Sequence, residues 1–305
     1  MLESMILAKK SKMRYYKIPL YTKAQDGHFM LYKPEGLLLK SMRVGSGRYP
    51  SELYLSSEDK MRGIQEVQEA FNKELSESIK GGEASVVKDM IVSVVEETLT
   101  EPRSGSLEGI AETVNILSTE CANQPGVLRT LANVSFTDYT TALHSVNVMA
   151  LTLGLCLFSG FDQKLLNAFG LAALLHDVGK TKIDPGIIGA SRKLTTAEFE
   201  EIKKHPALGF DILSECDFEG DTTGLGALEH HEKLDGSGYP RGTKAISQVG
   251  QIIGIVDCYE AITNDDRPYR SAMDPLDALS LLKRDVENGK YSMELFKKFA
   301  YSLTK

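Results

Sequence analysis

The chain has 305 residues, of which 42% are hydrophobic and 25% charged, the balance of a folded protein of about two domains. That balance excludes a disordered chain, and the scattered 26 glycines and 10 prolines exclude a collagen-like one. A net charge of −7 argues against a general DNA or RNA binder, because backbone affinity rests on a broad positive face.

The first twelve residues place Lys9, Lys10 and Lys12 after their apolar part, the reverse of a secretory signal. No apolar run reaches about 18 residues, so no membrane span is predicted. Cys121, Cys156, Cys216 and Cys258 are widely spaced, with no CxxC pair. They read as small buried hydrophobes in a reducing compartment. A cytoplasmic protein without membrane or DNA contact is expected.

Residues 13 to about 55 read as β-rich. Met13–Tyr21 and His28–Tyr32 are aromatic and branched runs, and Asp26-Gly27 between them is a hairpin signal. Ser51–Leu55 is a third candidate strand. Tyr15, Tyr16, Tyr21, Tyr32 and Tyr54 are expected as core and strand residues. Ser56-Ser57-Glu58-Asp59 opens a helix by N-cap chemistry, running to about Ile79, where Gly81-Gly82 breaks it. From Glu83 onward the pattern is helical: Val86–Leu99, Leu107–Leu117, and a further stretch after Pro125-Gly126. The predicted class is α+β, with a small N-terminal α/β domain over 1–82 and an all-α domain over 83–305.

Five of the six histidines lie between residues 144 and 231. A neutral imidazole is the commonest metal ligand at neutral pH. The run Leu171-Ala-Ala-Leu-Leu ends in His176-Asp177, and Ile252-Ile-Gly-Ile-Val ends in Asp257. A polar pair or a carboxylate at the end of a buried helix needs a partner, and a cation supplies one. His144, within an apolar helix, reads equally as a core histidine when taken alone. Pro206 is suited to the first turn of a helix, which puts His205 at a helix junction. His230 and His231 reach one ion only near a helix end, and the glycines and proline that follow supply that end. Nitrogen and oxygen donors without thiolate suit iron, manganese or zinc. His144, His176, Asp177, His205, His230, His231 and Asp257 are too many for one ion, but two ions sharing a carboxylate would use them.

His176-Asp177, together with His230-His231-Glu232, Asp235-Gly236 and Gly238-Tyr239-Pro240, resembles the HD-GYP family of bacterial cyclic di-GMP phosphodiesterases. The resemblance covers residues from about 135 to 300 and includes Asn264–Arg270. It implies a helical HD-type catalytic domain with two divalent metals, iron or manganese. By motif, His144, His176, Asp177 and Asp257 would hold one metal. Asp177 would bridge to a second, held by His205, His230 and His231. Lys180 would contact the phosphate, Arg267 and Arg270 the phosphate or guanine, and Asp235 and Tyr239 would shape the pocket loop.

The resemblance further implies hydrolysis of cyclic di-GMP to the linear dinucleotide or GMP. Two metals about 3.5–4 Å apart would turn a shared water into hydroxide, with Lys180 neutralising phosphate charge. Three departures stand out. Thr140 occupies the position where three-metal members carry glutamate, so two metals are expected. Ala190-Ser191-Arg192 replaces the family's Lys-Pro-Gly piece. Glu260 replaces a common aspartate, and the stretch from Asp257 to Arg267 is one residue longer. These leave open a module that binds metal and nucleotide and signals through contacts. A phosphohydrolase of mononucleotides is the third reading. Residues 1–82 would sense a signal, form a dimer or bind a partner such as a diguanylate-cyclase domain.

Overall fold

The computed structural model describes residues 5–9, 12–42, 50–81, 84–100, 102, 106–123, 140–190, 192–264 and 273–304. Two compact units divide between Glu74 and Leu75, inside helix α1 (Lys60–Gly81) and ahead of the boundary expected near residue 82.

In the first unit, β1 (Met5–Leu7), β2 (Leu20–Lys23), β3 (Phe29–Lys33) and β4 (Tyr54–Ser56) form one antiparallel sheet in the order β1-β4-β2-β3. The hairpin β2–β3 turns at Gly27, whose φ of 88° suits a residue without Cβ. The run Met13–Tyr16 corrects the expected strand. It is a turn closed by Met13 N–H to Lys9 O and Tyr15 N–H to Lys12 O. Its aromatic residues are still core, since Tyr15 and Tyr16 are buried while Tyr21, Tyr32 and Tyr54 are half-buried. The β1 strand, by contrast, had no reading as a strand. Lys33 is fully buried, and its Nζ donates to the carbonyls of Lys17, Ile18, Pro34 and Leu37, which satisfies an otherwise costly buried ammonium. Ser56 Oγ accepts from Asp59 N–H ahead of α1, as its N-cap chemistry suggests.

The second unit is helical among its described residues. It contains α2 (Ala84–Leu99), α3 (Ser106–Asn123), α4 (Thr141–Phe158), α5 (Gln163–Leu175), a 3-10 turn over Val178–Lys182, α6 (Pro185–Ile188) and α7 (Thr196–Ile202). It continues through α8 (His205–Ser214), α9 (Thr222–Glu229), α10 (Gln248–Thr263), α11 (Pro275–Glu287) and α12 (Met293–Ser302). The stretch expected after Pro125-Gly126 lies outside the described residues. Helix α5 packs on α3, α4 and α9; α9 packs on α8 and α10; α10 closes on α4. Ile252, Ile253, Ile255 and Val256 of α10 and Ala172–Leu175 of α5 are buried, so both helices are apolar around most of their circumference.

Helix α4 is long and apolar enough to cross a membrane, at a mean hydropathy of 1.6 over 18 residues. This corrects the expectation that no apolar run reaches such a length. Its window is 72% buried inside the unit, and it carries buried His144, Ser145 and Asn147, so it reads as a core helix. Cys156 is a buried free thiol, while Cys216 and Cys258 are half-buried free thiols; the side chain of Cys121 lies outside the described residues.

Candidate metal centre

Each polar residue of the centre sits where a helix begins, ends or faces its neighbours. Thr140 caps α4 by accepting from Leu143 N–H, and His144 follows one turn later. His176 ends α5, and Asp177 opens the 3-10 turn. His205 is the first residue of α8, ahead of Pro206. His230 ends α9, with His231 beside it, and Asp257 lies within α10. Glycine permits two of these approaches. A Cβ on Gly179 would stand 2.0 Å from His205 O, and one on Gly254 would stand 2.5 Å from His230 O.

Two groups of donors converge, His144–His176–Asp177 and His205–His230–His231, each with its donor atoms within 4.8 Å of one another. Asp177 joins them. Its Oδ2 lies 3.5 Å from His144 Nε2 and 3.4 Å from His176 Nε2. Its Oδ1 lies 3.2 Å from His205 Nε2 and 3.8 Å from His230 Nε2. Asp257 also spans the centre, with Oδ1 3.1 Å from His144 Nε2 and Oδ2 3.9 Å from His231 Nδ1.

The proton arrangement makes this a set of acceptors. His176 Nδ1 faces Ala173 O at 2.7 Å, His205 Nδ1 faces Ile202 O at 2.7 Å, and His230 Nδ1 faces Ala227 O at 2.8 Å. A carbonyl only accepts, so the Nδ1 protons are committed there. With Nδ1 so engaged, each ring turns its Nε2 inward, the arrangement of a ligating histidine. His205 Nε2 and His230 Nε2 are 3.2 Å apart, and Asp177 Oδ1 is a buried oxygen without a hydrogen-bond partner. Lone pairs facing lone pairs at such distances are costly without a cation. Nitrogen and oxygen donors of this kind fit a divalent transition metal.

Electrostatics supports the ligating forms. Burial, with the crowding of His231, His176 and His205 around it disfavouring a further positive charge, holds His230 well below the usual imidazole range. Burial brings His231 down to about 3. Both are neutral imidazoles at pH 7. Burial would raise Asp177 and Asp257, but Lys180 and His176 hold Asp177, and His144 and His231 hold Asp257, well below the carboxylate range. His144 differs: burial pulls it down, yet Glu260 and Asp257 raise it to about 10.

Around the centre, Lys180 Nζ is 2.5 Å from Asp177 Oδ2, and the Tyr239 ring stands 4.6 Å from that of His231. Burial raises the Tyr239 hydroxyl, so it remains a phenol donor at neutral pH. Asp235 is exposed and accepts from Ser237 N–H and Oγ–H; it shapes the loop and is not brought to the donor cluster. Arg267 and Arg270 lie outside the described residues. Arg192, where the Lys-Pro-Gly piece is replaced, pairs with Glu198 at 2.5 and 2.8 Å.

The sequence singles out Glu260 and Glu232 but not what they hold, and it leaves Asn147 and Glu229 without a role. Glu260 Oε2 meets His144 Nδ1 at 2.5 Å, and Asn147 Nδ2 donates to Glu260 Oε1 at 2.8 Å. A signal existed: Asn147 is three residues after His144, and Glu260 three after Asp257, so each pair shares a helix face. Glu229 and Glu232 fasten the tyrosine loop. Glu232 accepts from the N–H groups of Arg241 and Thr243, and Glu229 accepts from Ser247 N–H and Arg241 Nη2.

The model of the HD domain matches residues 111–295. The chain belongs to the HD domain family. Its His-Asp, His-His-Glu and Gly-Tyr-Pro motifs are those of the family's HD-GYP members. Over 192 residues it is 33% identical to cyclic di-GMP phosphodiesterase PA4108 of Pseudomonas aeruginosa, covering 62% of this chain and 45% of that protein. It is 35% identical over 169 residues to a cyclic di-GMP phosphodiesterase of Thermotoga maritima, covering 54% and 45%. It is 31% identical over 165 residues to 3'3'-cGAMP-specific phosphodiesterase 1 of Vibrio cholerae, covering 51% and 36%. The matched region thus spans less than half the length of these relatives. Its fold resembles that of Bd1817, a HDG"Y"P protein from Bdellovibrio bacteriovorus, at a TM-score of 0.65 and 18% identity, covering 99% of this chain and 100% of that one.

Proposed function

We propose that residues 83–305 of this HD domain protein form a divalent-metal-dependent phosphodiesterase of cyclic dinucleotides, with cyclic di-GMP as substrate. The observation that carries this reading is the position of Asp177, one oxygen turned toward each histidine group. The relatives' named activities on cyclic di-GMP and 3'3'-cGAMP support a cyclic dinucleotide over a mononucleotide.

His144, His176, Asp177 and Asp257 would hold one ion, and His205, His230, His231 and Asp177 the other. When bound, two such cations supply an acidified water and positive charge for a phosphate. Every other contribution comes from the chain. The inward Nε2 atoms are held by committed Nδ1 protons, so the donors need little reorganisation. Lys180 carries a positive charge beside Asp177, where charge growing on phosphate oxygens is neutralised. The Tyr239 phenol would offer a hydrogen-bond donor at the rim. Arg267 and Arg270 would grip phosphate with paired N–H groups, as lysine does less well.

Metal-loaded protein incubated with cyclic di-GMP and resolved by chromatography tests this. Release of the linear dinucleotide or GMP, abolished in Asp177→Ala, is the expected result. Metal retention and nucleotide binding without product would favour a second reading, a signalling module. The side-chain pairing of Arg192 with Glu198 motivates that reading, since it occupies the place of a substrate-facing lysine.

A further inference from the structure

Helix α7 presents one exposed aromatic side chain close to the centre. Phe199 is 45% exposed, and it shares a face with Lys203 one turn later. Lys203 Nζ lies 5.4 Å from the Phe199 ring centroid and 5.9 Å from that of Tyr239. Tyr239 in turn stands against His231. Glu200 completes the group, accepting from Lys203 Nζ at 2.6 Å. Phe199, Lys203 and Tyr239 thus lead from the donor cluster toward solvent, with an opposite-charge pair beside an open ring.

We propose that Phe199, Lys203 and Glu200 form the shelf that receives and reads a guanine base of the dinucleotide. This rests on the cyclic-dinucleotide reading above and names which base the site selects. An aromatic face accepts any base by stacking, so Phe199 supplies affinity. Selection comes from the charged pair. Guanine offers O6 and N7 as acceptors, matched by the Lys203 ammonium, and N–H donors at N1 and N2, matched by the Glu200 carboxylate. Adenine puts an N6 donor where guanine has O6, which leaves Lys203 only the N7 that both purines share, and it puts an acceptor at N1 opposite the Glu200 carboxylate. The Lys203–Glu200 pair is exposed enough to exchange partners at little cost, since surface ion pairs contribute ~0–1 kcal/mol.

The test is calorimetric binding to the full, manganese-loaded chain. The ligands are the phosphorothioate analogues of cyclic di-GMP and of its adenine counterpart, which slow cleavage. Phe199→Ala is expected to weaken cyclic di-GMP binding by about tenfold, the loss of one stacked base, with wild-type metal content. Phe199→Tyr restores it, because a phenol ring still stacks. Glu200→Gln and Lys203→Met are expected to narrow the preference for guanine over adenine. Unchanged affinity in Phe199→Ala, or an unaltered guanine-to-adenine ratio in both charge variants, overturns the proposal and leaves the cyclic-dinucleotide reading standing. A wild-type chain that holds its metal yet binds neither dinucleotide overturns both.

Discussion

Glu260 on α10 grips His144 on α4 through a 2.5 Å contact between its Oε2 and the ring Nδ1. The same carboxylate takes a hydrogen bond from Asn147 and one from the Asn264 amide, so its orientation is fixed before any ion arrives. Carboxylates behind ligating histidines orient the ring and raise its basicity, and their loss costs about 10–100-fold in metal affinity. Glu260→Ala is expected to weaken one metal equivalent by that factor, with a smaller loss in Glu260→Gln. Competition against a calibrated chelator measures it. An affinity equal to wild type in Glu260→Ala would remove Glu260 from the centre.

Lys180 donates to Asp177, and no backbone acceptor for its ammonium is seen among the described residues. Lys180→Met is therefore expected to keep the metal content while lowering kcat by about a hundredfold, the scale of losing one electrostatic contact to a reacting oxygen. Metal quantification alongside steady-state kinetics separates the two effects. Loss of metal in step with rate would make Lys180 a structural support for Asp177 instead.

Gly179 sets how closely the 3-10 turn approaches α8. A methyl group there would meet His205 O at 2.0 Å and Gly209 N at 2.5 Å, and both obstacles are backbone. Gly179→Ala is expected to destabilise the fold by more than ~2 kcal/mol and to push His205 away from the centre. Denaturant unfolding with metal quantification checks both consequences. The control is Gly154→Ala, where the added carbon meets nothing within 4 Å.

Lys88 of α2 is fully buried. Burial lowers its ammonium to about 8, against the opposing pull of Glu260 and Asp89. In the unfolded chain it titrates near 10.4. Between those values the unfolded state binds more protons than the folded one. Stability from this residue therefore rises as pH rises from about 8 to about 10. Urea unfolding of the wild type and Lys88→Met at pH 7.5 and 9.5 isolates the contribution. The wild type should gain on the variant at the higher pH, and parallel curves would contradict the assignment.

Much of the centre was readable because polar residues interrupt apolar helices. His176-Asp177 after Leu171–Leu175, and Asp257 after Ile252–Val256, stand out for the cost of burying them. Glu260 was harder to read, because its meaning depends on α4 facing α10 across 116 positions of sequence. Periodicity within one helix carries no information about which other helix it meets. The small sheet was legible in part. Asp26-Gly27 marked a real turn, whereas Met13–Tyr16 had strand composition but adopts a turn, since β propensity reflects packing context. The membrane-like length of α4 was also missed: its apolar character is spread through small residues and broken by His144 and Asn147.

The most direct test is metal stoichiometry after anaerobic purification with ample iron or manganese. About two equivalents per chain are expected for a site that binds paired cations, falling to about one in His205→Ala, which removes a donor from one group only. A wild-type chain without bound metal, or His205→Ala retaining both equivalents, would contradict the centre described by these residues.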